Sequence, residues 1–362
     1  MSHVTHVLLP ANVPPLTIGV DLGDRTSRTC ELDAQGRCVH EGTVATTEAA
    51  MRRYFAARPR GRVVFETCTH SPWLARLVTA LGHEVVVANP SAMFTRGARR
   101  RRNDALDARF LARQGRADVA LLHPITHRSA AAQQALAQLR ARDQLVKART
   151  QLINHVRGAV KAVGQRVSAC SAASFARRAR GELPDVLAPA LRPLVEVIDT
   201  LTQQIHAADH ALERLITARY PVARQLQQPA GVGPLTALAY VLLIDDPRRF
   251  RRSRDAGAYF GLVPRLDESS TASPQLRISK AGDGLGRRLL VSAAQYILGP
   301  FGPPCDLRRH GQAIAQRGGK NAKKRAVVAV ARKLAVLLHH LWVTAAPYDP
   351  DYLLHHPRRP SV

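Results

Sequence analysis

Acidic residues are scarce. The 362-residue chain carries 27 Asp and Glu against 53 Lys and Arg, a formal net charge of +26. That balance excludes an acidic solvating protein and points to a polyanionic partner. Lysine is rarer still, with seven residues among the 53 bases and arginine making up the rest. A coding bias toward Arg, Ala and Pro accounts for arginine over lysine, but not for the missing acids. Cysteine is sparse: Cys30, Cys38, Cys68, Cys170 and Cys305 are scattered and odd in number. Seven residues separate Cys30 from Cys38, and no second close pair exists. That is neither a zinc spacing nor a disulfide framework, and it fits a reducing cytoplasm. Long hydrophobic runs are missing too. The longest, Leu235 to Ile244, is too short to span a bilayer. No apolar run flanked by Lys or Arg near the N-terminus reads as a signal peptide. The expectation is a soluble, cytoplasmic chain without a membrane partner.

What is present changes along the chain. Residues 1–14 read as a flexible N-terminus. Leu16 to Asp21 reads as a strand ending in an acid. Asp33-Ala34-Gln35-Gly36 reads as a hairpin turn between two further strands. A helix is expected over 47–57, a strand over Arg62 to Glu66, a helix over 73–81, and a buried strand over Glu84 to Ala88. Strands alternating with helices argue an α/β layer through about residue 125. The middle is helical. Leu139, Val146, Ile153 and Val160 recur every seven residues, and Pro193 opens a second long helix. Leu194, Ile198, Leu201, Ile205, Ala208, Leu212 and Leu215 then alternate four and three apart, as in a heptad seam. A hairpin, a dimerising coiled coil and a buried bundle within one chain all satisfy that seam. From about 223 the glycine loop Gln228–Pro234 precedes an apolar helix. Its glycines suit either close helix packing or a phosphate held on exposed N–H groups. Further helices are expected over 255–261, 287–298 and from the 318–325 run to about 343. A flexible tail is expected over 346–362.

With acids so few, their positions carry information. Asp21 and Glu66 each end a strand, and Asp104 and Asp107, three apart, share one helix face. Strand-end acids plus acids on a covering helix build the carboxylate cluster of an RNase H-like fold. Like charges a few ångströms apart must be neutralised, and oxygen-only ligation selects Mg²⁺ or Mn²⁺. Two such ions about 4 Å apart stabilise the attacking and leaving oxygens of a phosphodiester. Arg99, Arg100, Arg101 and Arg102 immediately precede this pair and read as a phosphate grip. A second cationic run is Lys320, Lys323, Lys324 and Arg325. The run Gly261 to Ser270 carries serines in a loop and is followed by Arg277 to Asp283 and by Arg287, so Lys280 and Arg287 could hold a phosphate adduct of a serine nucleophile; an ordinary surface loop is the commoner reading of these residues.

The two constellations together resemble the bridge-RNA-guided serine transposases of insertion-sequence family one-ten, which also holds the Piv-type DNA invertases. The resemblance covers most of residues 15–345. Its first half rests on Ile18-Gly19-Val20-Asp21, Phe65-Glu66-Thr67, Asn89-Pro90 and Asn103-Asp104-Ala105-Leu106-Asp107-Ala108. Its second half rests on Pro229-Ala230-Gly231-Val232-Gly233, Gly261-Leu262-Val263-Pro264 and Ile278-Ser279-Lys280-Ala281-Gly282. The resemblance implies an N-terminal RuvC-like (RNase H-like) domain over 15–125, a helical coiled-coil linker over 126–222 and a mainly helical C-terminal transposase domain over 223–345. It places an acidic tetrad on Asp21, Glu66, Asp104 and Asp107, and a catalytic serine on Ser269. The sequence departs from the family pattern at Arg102-Asn103, at Gly286-Arg287, and at Ser270, where the family has glycine, so Ser269 and Ser270 compete.

The implied protein is a DNA transposase and site-specific recombinase. A serine nucleophile and carboxylate-bound Mg²⁺ or Mn²⁺ would cut and rejoin donor and target DNA. A noncoding bridge RNA would guide it, and its two domains would act across protomers of a homodimer or homotetramer. The alternatives are a metal-only junction resolvase, which has no use for residues 223–345, and a non-enzymatic DNA-binding protein, which strand-end acids would only weaken.

Overall fold

The computed structural model describes residues 14–90, 104–265 and 276–356. The chain divides into two compact units, Met1–His127 and Arg128–Val362. The first is a five-stranded mixed sheet covered by helices. Its strands are β1 (Thr17–Asp21), β2 (Thr26–Leu32), β3 (Cys38–Ala45), β4 (Arg62–Glu66) and β5 (Glu84–Ala88), in the order β3-β2-β1-β4-β5. β1, β2 and β3 form an antiparallel meander, whereas β4 and β5 run parallel to β1. The β2–β3 turn lies where the sequence signals it. Asp33 Oδ1 accepts from the Gln35 and Arg37 amides, both at 2.9 Å, and Gly36 takes φ +80°.

Helices α1 (Glu48–Ala56) and α2 (Ser71–Ala80) cover one sheet face. Met51, Phe55, Leu74 and Val78 are buried there with Ile18, Val20, Val63 and Phe65. Helix α3 (Asp104–Ala117) covers the other face, where Leu111 meets Val64, Val86 and Ala88, and Ala108 and Ala112 meet Cys30 and Leu32. Successive strand side chains point to opposite faces, so the odd residues of β1 and the even residues of β4 lie under α3.

The second unit is helical. α4 (Ala130–Ala162) and α6 (Ala188–Arg219) pair antiparallel: Arg142 bonds Asp209 at 2.8 Å, and Arg149 reaches the Thr202 hydroxyl at 3.2 Å. Between them lies α5 (Phe175–Glu182). The remaining helices are α7 (Val222–Gln225), α8 (Pro234–Ile244), α9 (Asp255–Tyr259), α10 (Gly284–Leu298), α11 (Asp306–Gln316), α12 (Ala322–Thr344) and α13 (Tyr352–His355). The hairpin has two cores. At one end Leu136, Leu139, Leu212 and Ile216 pack with α8, α10 and α12. At the other, Ile153, Val156, Val160, Val195 and Ile198 pack around Phe175 of α5. The first turns of α4 and the last of α6 therefore share the core of residues 223–345. By length and composition α12 could cross a membrane, but it packs against α9, α10 and α11, with Val330, Leu334 and Leu338 fully buried.

Several expectations change. α6 starts at Ala188 and carries Pro193 inside it. Its buried stripe runs Leu191, Val195, Ile198, Thr202, Ile205, Leu212 and Ile216. Three of the expected seam positions are in that stripe, Leu194, Leu201 and Leu215 lie one residue off it, and Ala208 has no counterpart in it. The seam is filled within the chain, by α4 and α5 around Val195 and Ile198 and by α4, α8, α10 and α12 around Leu212 and Ile216. Residues 346–356, expected as a loose tail, are tied down. The Tyr348 amide donates to Gln228 Oε1 at 2.8 Å, the Asp306 amide to Pro350 O at 2.8 Å, and Arg309 bridges Asp306 and Asp351. Residues 1–13 and 357–362 lie outside the described residues.

Because the two cores of the hairpin are separate, Phe175→Ala should cost the distal one about 3–5 kcal/mol. Hydrogen exchange should then rise over 150–198, with the amides of β1, β4 and β5 unchanged. Uniform loss of protection would show that the hairpin and the sheet unit unfold together.

Candidate active site

β1 and β4 are adjacent, parallel and in register to Val20 opposite Phe65. Asp21 and Glu66 are the next residue on each, so both stand at the same sheet edge. Both also share the face that carries Gly19 and Val64, the α3 face, since Ile18, Val20, Val63 and Phe65 fill the opposite core. Asp104 and Asp107 occupy the first turn of α3 and continue the stripe that Ala108, Leu111 and Ala112 bury on the sheet. Carboxylates there are also favoured by the positive end of the helix dipole.

The convergence depends on an absent side chain. A Cβ on Gly19 would lie 2.0 Å from Ala108 O and 2.4 Å from Ala112 N. Helix and strand backbones touch at that point, two residues before Asp21. Near the other end of α3, a Cβ on Gly115 would lie 2.3 Å from Val64 Cγ2, and Arg62 Nη1 donates to Gly115 O at 2.7 Å. α3 is thus pinned at both ends, antiparallel to β1 and β4, with its acidic start at the carboxyl ends of the strands. A glycine inside a strand marks such close approach, a signal that position 19 carries and that the strand pattern alone did not use.

The electrostatics follow from the geometry. Asp21 is pushed up from the ordinary carboxylate value to about 6, first by burial and then by the negative charges of Asp104, Asp107 and Glu66. The other three acids therefore act on Asp21. An all-oxygen donor set under mutual repulsion fits hard divalent cations and would be relieved by them.

The other site residues divide. Ser269, Ser270, Arg99, Arg100, Arg101 and Arg102 lie outside the described residues. The stem flanking residues 266–275 is described and firmly held. Pro264 bridges Ile278, the Arg265 amide donates to Arg277 O at 3.0 Å, and the Ser279 amide to Val263 O at 2.9 Å. Lys280 is exposed, with a left-handed backbone at φ 54°. Arg287 donates from one nitrogen, Nη1, to Phe260 O at 3.2 Å and Ala281 O at 2.9 Å, a fastening of the stem that the sequence did not signal. Lys320, Lys323, Lys324 and Arg325 are exposed at the start of α12. The loop before α8 is a packing loop: a Cβ on Gly231 would lie 2.8 Å from Ala293 O of α10.

Residues 18–164 match a family model for the DEDD domain of IS110 transposases, described as "Transposase". Residues 223–304 match a second, described as "Transposase IS116/IS110/IS902 family". The chain belongs to the IS110 family of transposases. It is 29% identical over 342 residues to the transposase for insertion sequence element IS1111A of Coxiella burnetii, covering 91% of this chain and 90% of that protein. It is 28% identical over 287 residues to the transposase for insertion sequence element IS1328 of Yersinia enterocolitica, covering 78% and 83%. All four acids of this transposase fall inside the first matched segment, and Ser269 and Lys280 fall inside the second.

Two outcomes test the site. Gly19→Val should lift α3 from β1 and destabilise the sheet unit by several kcal/mol, as overpacking against rigid backbone does; unchanged thermal stability would refute the close approach. Asp21→Asn tests the repulsion. A folded-state value above the ordinary one means that the folded protein holds this proton more tightly than the unfolded chain. Burial of the charge, with the repulsion added to it, therefore costs stability above pH 6, and the cost is relieved as pH falls toward 4. In metal-free buffer at pH 7.5, Asp21→Asn should raise Tm by a few degrees, and the gain should vanish near pH 4. A lowered Tm at pH 7.5 would contradict the cluster.

Proposed function

We propose that this transposase is a recombinase that moves its insertion sequence by cutting and rejoining DNA through a serine ester. The observation that supports this most is the convergence of Asp21, Glu66, Asp104 and Asp107 at one sheet edge. Several acids of the helical unit pair with arginines. Asp104, Asp107 and Glu66 instead bring their charges to Asp21, which burial and that charge raise to about 6, an arrangement that makes sense around cations. The strand order, with three antiparallel strands followed by two parallel ones, supports a RuvC-like, RNase H-like reading of the sheet unit. The proposed domains keep the divisions 15–125, 126–222 and 223–345.

In this reading the four carboxylates hold Mg²⁺ or Mn²⁺, which supplies charge neutralisation at the phosphate and at the leaving oxygen. Protonation of Asp21 competes with cation binding, so at limiting Mg²⁺ activity should fall as pH drops through about 6. Ser269 is the nucleophile. Its hydroxyl oxygen bonds to phosphorus and its proton leaves to solvent or a base. The bridging P–O bond of the strand breaks, and the departing oxygen takes up a proton. The phosphoserine ester conserves the bond energy, so a hydroxyl of another strand can reverse the step and release the serine without ATP. Hydrolysis by water would lose that energy. The stem fastened by Arg287, with Lys280 exposed on it, supports a phosphate-handling role for this region. The exposed run Lys320–Arg325 suits backbone contacts to DNA or to a guiding bridge RNA, with Arg99 to Arg102 assigned the same role. Donor and target DNA, a noncoding bridge RNA and further copies of the chain in a homodimer or homotetramer are the proposed partners, in the cytoplasm.

The deciding experiment is adduct mapping. Wild-type protein with Mg²⁺ and its element's ends should yield a covalent protein–DNA species whose digest carries the phosphate on Ser269. Ser269→Ala should abolish adduct and recombination while DNA binding persists, and Ser270→Ala should be mild. Strand cleavage without any serine adduct would replace this reading with a water-using, metal-only nuclease.

A further inference from the structure

Away from the four acids, the β2–β3 hairpin gathers a second set of ligand atoms. Cys30 lies on β2, fully buried, opposite Glu41 on β3. Cys38 lies opposite Leu32. The register shifts between Glu31 and Leu32: His40 pairs with Glu31 and Cys38 with Leu32, so Val39 is the extra residue of a β-bulge. Without the bulge, strict alternation would put Cys38 and Glu41 on opposite faces. With it, Cys30, Cys38 and Glu41 share the face under α3.

The distances suit a metal ion. One ligand atom from each of Cys30, Cys38 and Glu41 lies within 4.8 Å of the other two, and the sulfurs are 3.8 Å apart. A tetrahedral Zn²⁺ with Zn–S bonds of about 2.3 Å requires its two sulfurs about 3.8 Å apart. Cys38 and Glu41 are exposed and give the ion a way in. Arg109 of α3 donates to both Glu41 oxygens at 2.9 Å. Each carboxylate oxygen has a second lone pair, so Glu41 can bind a cation with the arginine in place, as ligating carboxylates commonly are hydrogen-bonded from outside. The guanidinium offsets the net −1 of two thiolates, one carboxylate and a divalent ion. In the metal-free protein the Arg109 hydrogen bond holds Glu41 below the usual carboxylate range, and burial, foremost, pushes the Cys30 thiol up to about 12. The Cys30 thiol then stands protonated beside an ionised carboxylate.

We propose that Cys30, Cys38 and Glu41 form a binding site for a thiophilic divalent cation of the Zn²⁺ class, with a fourth position open to water. Binding exchanges two thiol protons for the cation and changes no oxidation state. The bound ion ties β2 to β3 and, through Glu41 and Arg109, both strands to the helix that carries Asp104 and Asp107. The site takes soft ligation where the four carboxylates take hard ligation, so one chain would hold two kinds of cation on one sheet face.

The test uses the full chain with Cys68→Ser and Cys170→Ser, kept reduced with a phosphine and titrated with Cd²⁺. The readout is the ultraviolet thiolate-to-cadmium charge-transfer band, and Zn²⁺ is then added as competitor. One equivalent of Cd²⁺ should saturate the band, Zn²⁺ should displace it, and two protons should be released per ion. Cys38→Ser should remove the band, Glu41→Gln should weaken binding at least tenfold, and Cys305→Ser should change nothing. Cys38 and Glu41 are exposed, so these variants should keep the circular dichroism of the parent. A band that persists in Cys38→Ser, or no band at all, would overturn the proposal. So would conversion of the pair to a Cys30–Cys38 disulfide in air without metal uptake by the reduced form, since the pair would then be a redox couple. The outcome is independent of DNA cleavage and leaves the recombinase reading standing or falling by its own test.

Discussion

The burial of Asp21 beside the negative charges of Asp104, Asp107 and Glu66 is the constraint on which the arrangement of the sheet unit turns. Acids on two strand ends and a helix start meet only if the helix lies flat on the strand, and only a glycine at position 19 gives that clearance. The helix must also be held while its start is pushed away. The sheet supplies this through the buried contacts of Leu111 with Val64, Val86 and Ala88, and through the Arg62 hydrogen bond to the Gly115 carbonyl. Apolar burial and one charged donor at the far end of α3 thus offset a cost incurred at the near end. Local strain of this kind persists only where the surrounding fold overdetermines it, and it concentrates at functional sites.

Acids elsewhere are placed differently. In the helical unit they join arginines: Asp209 with Arg142, Asp283 with Arg140, Asp143 with Arg288 and Lys147, and Glu196 with Arg180. Asp283 also caps α10 through the Leu285 and Gly286 amides. These pairs tie α4 to α6 and to the start of α10, and α5 to α6. They are partly exposed and individually weak, so they fix the register of helices whose association comes from the apolar cores. In a chain with half as many acids as bases, acids set against acids stand out.

Much of this was legible in the sequence, and the limits have physical causes. All five strands, the hairpin turn at Asp33–Gly36 and the long helices at 130–162 and 322–344 were readable, because alternation, turn residues and helical periodicity are local signals. The four acids were readable because strand-end and i, i+3 positions are local too. Missed were features that depend on distant partners. α5 is short and rich in arginine, and its Phe175, Ala176 and Ala179 read as a buried face only once α4 and α6 surround them. The heptad seam of α6 was misplaced by one residue at several positions because Thr202 is buried, with its hydroxyl taken up by Arg149. The Cys30–Cys38 pairing was invisible because a bulge at Val39 changes which face Cys38 occupies, and no spacing rule contains a bulge. The segment 346–356 looked loose because its anchors, Gln228 and Asp306, are far away in sequence.

The arginine content also takes on a more specific meaning. Several guanidinium groups donate to backbone carbonyls at element ends: Arg62 to Gly115, Arg128 to Leu243, Arg287 to Phe260 and Ala281, and Arg308 to Ile297 and Gly299. A planar fork of five donors reaches two carbonyls at once, which a lysine ammonium on its flexible stem does less well. Carbonyls do not cancel charge, however. Such arginines spend hydrogen-bonding capacity on the fold while still adding to the field that draws in a polyanion. The net charge of +26 is therefore a fair guide to long-range attraction and a poor guide to which side chains grip a phosphate. Directional grip needs bases with donors to spare, and three of the chain's seven lysines, Lys320, Lys323 and Lys324, stand exposed at the start of α12. The same coding preference that made lysine rare leaves its surviving positions informative, since an arginine there would serve the fold no better.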